Sequence, residues 1–518
     1  MGWNDWAHYG CSLTEAIVTA NADALINTGL AAKGYDTVTL DDCWMSGSRD
    51  ANGNLVANSS RFPHGMAWLG TYLHNNGLKF GIYEDAGSAT CSGLPGSGQP
   101  QGGGADHFAA DANLFASWGV DYLKLDGCNV YIPSGKTMAQ AFQDAYDAQA
   151  AALRNSGRAI TFSESIVAYF HEGEWGASPD YYASLAHAPQ NGQLWRVGND
   201  IAMYDSSKPT ASHWSSVLNN YAENRWIGTF AGPGSWNDPD FLIGGETSLT
   251  DDEARSQISL WSMMAAPLIL ASDLTSLPAA RKAAFSNADI IALDQDSAGH
   301  QGSVVSSNGT TDILTRPLAN GDRAVAVLNR SASTSSVSVP LANIGLSGCT
   351  VAAKDLWSGT SSTVSGSLSA SIPSHATAVW RLTPGSGCAA AVPTGQVVGA
   401  AAKCMDDSGS GSADGNPIIL YTCTGQSNQR WILNTDGTVR TLGKCLTAGG
   451  TAAGSAAILS GCTGATAQKW THRTDGTFTN NASGLCLDVY GGFTTDTTRL
   501  QVWTCGNHQT NQFWSLPA

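Results

Sequence analysis

The last quarter of the chain repeats itself, and this limits its fold more than any other feature. Cys404, Cys445 and Cys486 recur every 41 residues, and each is answered by a later cysteine, Cys423, Cys462 and Cys505. Each unit closes on Gln-x-Trp: Gln429-Arg430-Trp431, Gln468-Lys469-Trp470 and Gln512-Phe513-Trp514. A unit of about 40 residues cannot bury its own apolar face, so three copies must pack their tryptophans and aliphatic side chains together around a pseudo-threefold axis. Residues 394–518 therefore read as one all-β domain.

The chain has 518 residues, and at roughly 100 to 200 residues per domain it holds two to four. From 1 to 297, β-rich runs alternate with amphipathic helical stretches. The runs are Tyr35 to Asp42, Lys79 to Asp85, Val120 to Asp126, Ala159 to Glu164, Leu194 to Asp200, Trp226 to Phe230 and Ala266 to Ser272, with the opening Met1 to Trp6 as a first strand. Met138, Ala141, Phe142 and Ala145 share the spacing of one buried helix face, and Ser12-x-x-Glu15 and Thr250-x-x-Glu253 fit capping boxes. Eight alternations predict a (β/α)8 TIM barrel, with a doubly wound sheet as the alternative. Residues 298–384 lose the helical period; Val304-Val305, Ile313-Leu314, Ala324 to Leu328, Val337 to Val339 and Ala378 to Leu382 predict an antiparallel β-sandwich. Residues 385–393, rich in Pro, Gly and Ala, read as a linker.

Lys+Arg 26 against Asp+Glu 42 gives a net charge of −16, which repels phosphate backbones and anionic headgroups and argues against nucleic-acid and membrane partners. The 12 cysteines form no CxxC pair and no zinc-spaced Cys/His cluster, so they read as disulfides and place the protein in an oxidising compartment, secreted from the cell. Met1 to Trp6 lacks a basic start and an apolar stretch, so the chain is expected to begin near a mature terminus. The 17 tryptophans supply flat faces suited to stacking on sugar rings.

In a barrel of this kind the chemistry sits at the C-terminal ends of the strands. The residues there are Asp41 and Asp42, Tyr83, Lys124 and Asp126, Glu164, Arg196 and Asp200, then Asp238 and Asp240. Any one of these acids is as readily a strand-end cap. Gathered at one mouth with Trp6, they suit carbohydrate: carboxylates accept hydrogen bonds from vicinal hydroxyls, and two of them can cleave a glycosidic bond without metal or cofactor.

At these residues the chain resembles a known family. Met1-Gly2-Trp3-x-x-Trp6, Leu40-Asp41-Asp42-Cys43-Trp44, Gly81-Ile82-Tyr83-x-Asp85-x-Gly87, Tyr122-Leu123-Lys124-x-Asp126-x-Cys128, Trp195-Arg196-x-x-x-Asp200-Ile201 and Gly232-Pro233-Gly234-x-Trp236-Asn237-Asp238-Pro239-Asp240 are similar to the motifs of glycoside hydrolase family 27, the α-galactosidases and α-N-acetylgalactosaminidases. The resemblance implies a retaining double displacement with Asp126 as nucleophile and Asp200 as acid/base. It assigns Asp41 and Asp42 to the O4 and O6 hydroxyls of galactose, Glu164 and Arg196 to the C2 and C3 hydroxyls, and Trp6, Tyr83, Lys124 and Asp240 to the rest of the pocket. Arg196 is expected to reach substrate rather than pair with Asp200. The resemblance also implies disulfides Cys11–Cys43 and Cys91–Cys128, which leaves Cys349 with Cys388 by elimination.

One stretch departs from the family pattern: Ser163-Glu164-Ser165 stands where Cys-Glu-Trp is usual, leaving the aglycone side open. The retained Glu164 is read as favouring a free 2-hydroxyl over an acetamido group, and the short Asp42 as favouring a hexose. Other readings remain: a β-L-arabinopyranoside, an α-N-acetylgalactosaminide, a dextran-type α-glucoside, or a galactose-binding lectin without catalysis.

The C-terminal repeats resemble the ricin-B type β-trefoil lectin, a family 13 carbohydrate-binding module. That resemblance assigns sugar binding to Asp406, Tyr421 and Asn428 in the first repeat and to Asp488, Trp503 and Asn511 in the third. The second offers Thr447, Ser460 and Ala467 instead and is expected to serve packing alone. The partner is carbohydrate, galactosides or plant cell-wall polysaccharide.

Overall fold

The computed structural model describes residues 1–172, 178–202, 213–388, 392, 394–506 and 509–517. Eight parallel strands open the chain: β1 Gly2–Asn4, β2 Thr37–Leu40, β3 Lys79–Asp85, β4 Tyr122–Asp126, β5 Thr161–Glu164, β6 Leu194–Arg196, β7 Trp236–Asp238 and β8 Ile269–Leu270. They lie in the order β7-β6-β5-β4-β3-β2-β1-β8, and a parallel bridge from Leu242 to Leu270 closes the ring. The fold is the (β/α)8 barrel.

Two local expectations need correction. The apolar run Trp226 to Phe230 is not the seventh strand; Gly228–Phe230 forms a 3-10 turn, and the strand is Trp236–Asp238. Trp226 and Ile227 are buried all the same, so the run carried the burial of a strand without its geometry. Ser12 does not cap the first long helix, Glu15–Asn27: Thr14 accepts from the Ile17 amide, and Glu15 reaches His64 Nδ1 at 2.7 Å. The Thr250/Glu253 capping box forms at the helix Asp251–Met263.

The barrel leads into a sandwich. Strands β9 Ser303–Ser307, β10 Thr311–Pro317, β11 Arg323–Asn329, β12 Ser335–Pro340, β13 Thr350–Asp355, β14 Ser361–Ser365, β15 Ser367–Ile372 and β16 Thr377–Pro384 form a six-stranded sheet, β14-β13-β16-β11-β10-β9, over a β12-β15 pair. β11 is buried along its whole length. Successive side chains of a strand point to opposite faces, so Ala324, Ala326 and Leu328 join the barrel's core while Val325 and Val327 join the sandwich's. The unbroken apolar run Ala324 to Leu328 thus belongs to the strand between the two bodies. Beyond β16, Gly385 N donates to Thr350 O at 3.0 Å and Cys388 bonds to Cys349; residues 389–391 and 393 of the expected linker lie outside the described residues.

The C-terminal domain is threefold in detail. Trp431, Trp470 and Trp514 share one core, and their indole N–H groups donate to Met405 O, Leu446 O and Leu487 O at 2.8, 3.0 and 3.0 Å. The glutamine two residues earlier accepts a loop amide in each copy: Thr424 N to Gln429 at 2.7 Å, Thr463 N to Gln468 at 2.7 Å, Gly506 N to Gln512 at 2.8 Å. Gln-x-Trp therefore persists because Trp fills the core and Gln ties the loop above it. Between Gln512 and Trp514 of the third motif, Phe513 leaves the trefoil core and is buried against the barrel, stacking on Tyr182 and Phe230 with centroids 4.4 and 5.6 Å away.

Candidate functional site

The mouth of the barrel is built from strand ends. On β4, Lys124 and Asp126 are two residues apart and share the inner face. Lys124 Nζ lies 2.7 Å from Asp41 Oδ2, both side chains almost fully buried. Burial pulls the Lys124 pKa down, but the carboxylates of Asp41, Asp126 and Asp240 outweigh it and hold the ammonium charged. Asp41 is braced from behind by β1: Asn4 Nδ2 donates to Asp41 Oδ2 at 2.8 Å and the Asp41 amide to Asp5 Oδ1 at 2.7 Å. Asp5 is wholly buried, which holds its carboxyl well above the usual range.

Asp42 accepts from the Cys43 amide at 2.6 Å and the Ser92 amide at 3.0 Å. Across the mouth, Arg196 Nη1 lies 3.1 Å from Asp240 Oδ1, and Asp240 Oδ2 accepts from the Ile201 amide at 2.8 Å. Asp240 adopts φ +79°, a left-handed conformation that costs a non-glycine residue energy and recurs at functional sites. Burial pushes the Asp238 carboxyl below it up to about 6, against the pull of Arg196.

Asp126 is oriented from both sides. Its Oδ1 accepts from Tyr169 Oη at 2.7 Å and the Gly127 amide at 2.9 Å, while Oδ2 has Tyr83 Oη at 3.3 Å. Asp85 ties β3 to the end of β4, accepting from the Gly87 amide at 2.6 Å and the Cys128 amide at 3.0 Å. Trp6, Asp41, Asp42, Tyr83, Lys124, Asp126, Arg196, Asp200 and Asp240 line one pocket with Cys91, Ile201 and Phe241. A larger cavity of about 410 Å³ lies at the other end of the barrel, beneath the first residues of the strands, away from this set.

Glu164 is not part of that pocket. Lys124 pairs in register with Ser163, and Leu125 with Glu164, so Ser163 takes the inner face and Glu164 the outer. Its carboxyl is fully buried beside Gly192, and that burial holds it well above the usual range. It therefore cannot exclude an acetamido group at C2. Arg196 also departs from expectation: Nη2 lies 3.1 Å from Asp200 Oδ1, pairing the two residues across one helical-turn spacing.

Sequence reasoning missed Tyr169, Asn4 and Asp5. Tyr169 lies five residues beyond β5, in the 3-10 turn Ile166–Phe170, where neither strand nor helix spacing points to the mouth. Asn4 and Asp5 stand at the open positions of Met1-Gly2-Trp3-x-x-Trp6, a motif in which only Trp6 is given a role. Disulfides join Cys11 to Cys43 and Cys91 to Cys128. Asp85, Cys91, Asp126 and Cys128 cluster closely enough to suggest a metal site, but the disulfide removes both thiolates.

In the trefoil, Asp406 Oδ2 accepts from Asn428 at 3.0 Å and Gln429 at 2.8 Å. Asp488 Oδ2 accepts from Asn511 at 2.7 Å and Gln512 at 2.9 Å, and its Oδ1 from Gln501 at 2.9 Å. Trp503 is exposed and Tyr421 half-buried. In the second repeat Thr447 stands where the others have the aspartate, and Gln468 donates to its hydroxyl at 3.3 Å and to Gly461 O at 2.8 Å. Disulfides Cys404–Cys423, Cys445–Cys462 and Cys486–Cys505 close the three units.

A barrel whose mouth gathers buried carboxylates, a lysine and an arginine around a polar pocket has the architecture and chemistry of a glycosidase. The family models described as Alpha galactosidase A, Alpha galactosidase C-terminal beta sandwich domain and Ricin-type beta-trefoil lectin domain match residues 1–296, 308–382 and 393–514 in turn. Alpha-galactosidase A of Aspergillus niger is 39% identical over 454 residues, 86% of this chain and 80% of its own. Among solved structures, the α-galactosidase of Saccharomyces cerevisiae with raffinose superposes with a TM-score of 0.64 at 27% identity, over 74% of this chain and 97% of its own. A putative α-galactosidase of Bacteroides fragilis gives 0.64 at 33% identity, over 74% and 78%. The chain belongs to the α-galactosidase family, glycoside hydrolase family 27, and carries a ricin-type lectin domain.

Proposed function

We propose that this protein hydrolyses terminal α-D-galactosyl residues with retention of configuration, Asp126 serving as nucleophile and Asp200 as acid/base. The observation that carries the reading is the nucleophile's setting. Two donors hold Asp126 Oδ1 while Oδ2 has one longer contact, so Oδ2 attacks the anomeric carbon and Oδ1 becomes the ester carbonyl oxygen. Asp200 gives its proton to the departing glycosidic oxygen. It then takes one from the water that attacks the β-galactosyl ester and releases α-galactose. An acid next to a guanidinium favours its charged form, so Arg196 must release Asp200 as substrate enters, turning to the sugar while Asp240 keeps its other end. Lys124, Asp41, Asp42 and Asp240 bind the hydroxyls, and Trp6 and Tyr83 shape the pocket.

With Glu164 outside the pocket, galactose over N-acetylgalactosamine rests on the likeness to α-galactosidases; raffinose, named with the yeast enzyme, is the fitting soluble substrate. Six disulfides suit secretion. Residues 1–297, 298–384 and 394–518 then act as catalytic barrel, supporting sandwich and glycan-binding trefoil, the last using Asp406, Tyr421 and Asn428, and Asp488, Trp503 and Asn511. Proton NMR of an aryl α-galactoside digest tests the reaction: α-galactose appears first if configuration is retained, and β-galactose first would refute it.

A further inference from the structure

The first and third trefoil repeats carry the same polar triad but different rims. Aligned on Asp406 and Asp488, the turn Ser408-Gly409-Ser410-Gly411 of the first repeat becomes Tyr490-Gly491-Gly492-Phe493 in the third. The backbone is the same in both: Gly409 and Ser410 have φ of 60° and 55°, Gly491 and Gly492 of 62° and 66°. The turn thus forms without aromatic residues, so the two rings are not there to shape it. Nor do they serve the core, for Tyr490 is 44%, Phe493 58% and Trp503 46% exposed.

Three exposed rings in one repeat surround one carboxylate. Trp503 pairs with Cys486 and Gln501 with Asp488, so Trp503 stands at one end of the strand Cys486–Val489 and the turn 490–493 at the other, with Asp488 between. The turn also abuts the triad: Asn511 Nδ2 reaches Val489 O at 3.4 Å, and a Cβ on Gly492 would lie 3.9 Å from that of Asn511. The Phe493 ring folds back over Gly491, where a Cβ would come within 2.5 Å of it, and the Arg499 guanidinium stacks on Tyr490 at 4.2 Å. The rings are thereby held in place although they face water. Contiguous exposed apolar surface rimmed by polar groups marks a binding site, and CH faces of pyranose rings are the ligand surface that suits rings flanking a carboxylate and an amide.

We propose that the third repeat binds a run of two or more neutral sugar units, with Trp503 at one side of Asp488 and Tyr490 and Phe493 at the other, whereas the first repeat holds a single unit. This rests on the reading of the trefoil as a glycan binder. The test uses the full-length chain with Asp126→Ala to prevent hydrolysis and Asp406→Ala to silence the first repeat, titrated calorimetrically with galactose, β-1,4-galactotetraose and xylotetraose. Affinity for one of the tetraoses is expected to exceed that for galactose at least tenfold. Replacing the rim by its first-repeat counterpart, Tyr490→Ser with Phe493→Gly, should abolish that excess and leave galactose binding as it was; the first repeat shows that this turn folds with those residues. Equal affinity for galactose and both tetraoses, or an excess that survives the exchange, overturns the proposal alone. If Asp406→Ala binds none of the three sugars, the glycan-binding reading of the third repeat falls with it.

Discussion

The barrel mouth and the trefoil each hold buried aspartates at the sites proposed for sugar, yet they brace them differently. Asp41 and Asp240 in the mouth are held by the cations of Lys124 and Arg196. Asp406 and Asp488 in the trefoil are held by the amides of Asn428 and Gln429, and of Gln501, Asn511 and Gln512. The difference follows from the task. A reaction that builds positive charge at an anomeric carbon and moves a proton needs fixed charge aimed at it before substrate arrives. A lectin site only exchanges one set of neutral hydrogen bonds for another and gains the rest from stacking. The mouth is single, while the trefoil is repeated, and its second copy has Thr447, Ser460 and Ala467 in place of the polar set while Trp470 stays packed in the core.

The comparison predicts a graded series. Removing a reacting carboxylate should cost most: Asp126→Ala and Asp200→Ala each lower kcat on an aryl α-galactoside by orders of magnitude, and azide restores turnover of the first as β-galactosyl azide. Tyr169→Phe deletes one charge-assisted hydrogen bond, worth about 1.5–3 kcal/mol, so kcat/KM should fall roughly 10- to 150-fold with folding intact by circular dichroism. An unchanged rate would remove Tyr169 from the nucleophile's support.

Asp238 gives the mouth a pH signature. Its pKa is about 6 folded against 3.8 as the ordinary value, so the folded state binds its proton more tightly, and that stability, full below about pH 4, is lost as pH rises through 6. Asp238→Asn cannot ionise and should gain on the natural protein across that window, by up to about 3 kcal/mol above pH 6; urea unfolding at pH 4 and pH 7 checks the sign. In the trefoil, Asp406→Ala and Asp488→Ala should each remove one glycan-binding site, counted by calorimetry, and leave kcat on a soluble aryl galactoside unchanged. Smallest of all, Glu164→Gln should alter neither galactoside nor N-acetylgalactosaminide hydrolysis, since its side chain faces away from the pocket.

What was legible in the sequence follows the same divide. Repetition made the trefoil plain, and strand-end carboxylates with alternating periodicity made the barrel plain. The serine-rich strands β14 and β15 carry too few apolar residues to stand out in the sequence. Glu164 was misplaced because a motif fixes order along the chain, while the inner face is fixed by register: one step from Ser163 turns a side chain through the barrel wall. Tyr169 was invisible because a turn, not a strand, carries it to Asp126. Arg196 is expected from the sequence to reach substrate rather than Asp200, and the structure pairs the two, because a four-residue spacing outside a helix says nothing about distance.

The central claim is that Asp126 becomes covalently galactosylated during turnover. Mass spectrometry of the protein inactivated with a fluorinated α-galactosyl fluoride, followed by peptide sequencing, reads this directly. The account predicts one galactosyl adduct, on Asp126, its formation slowed in Tyr169→Phe; an adduct on any other carboxylate, or inactivation without one, would contradict it.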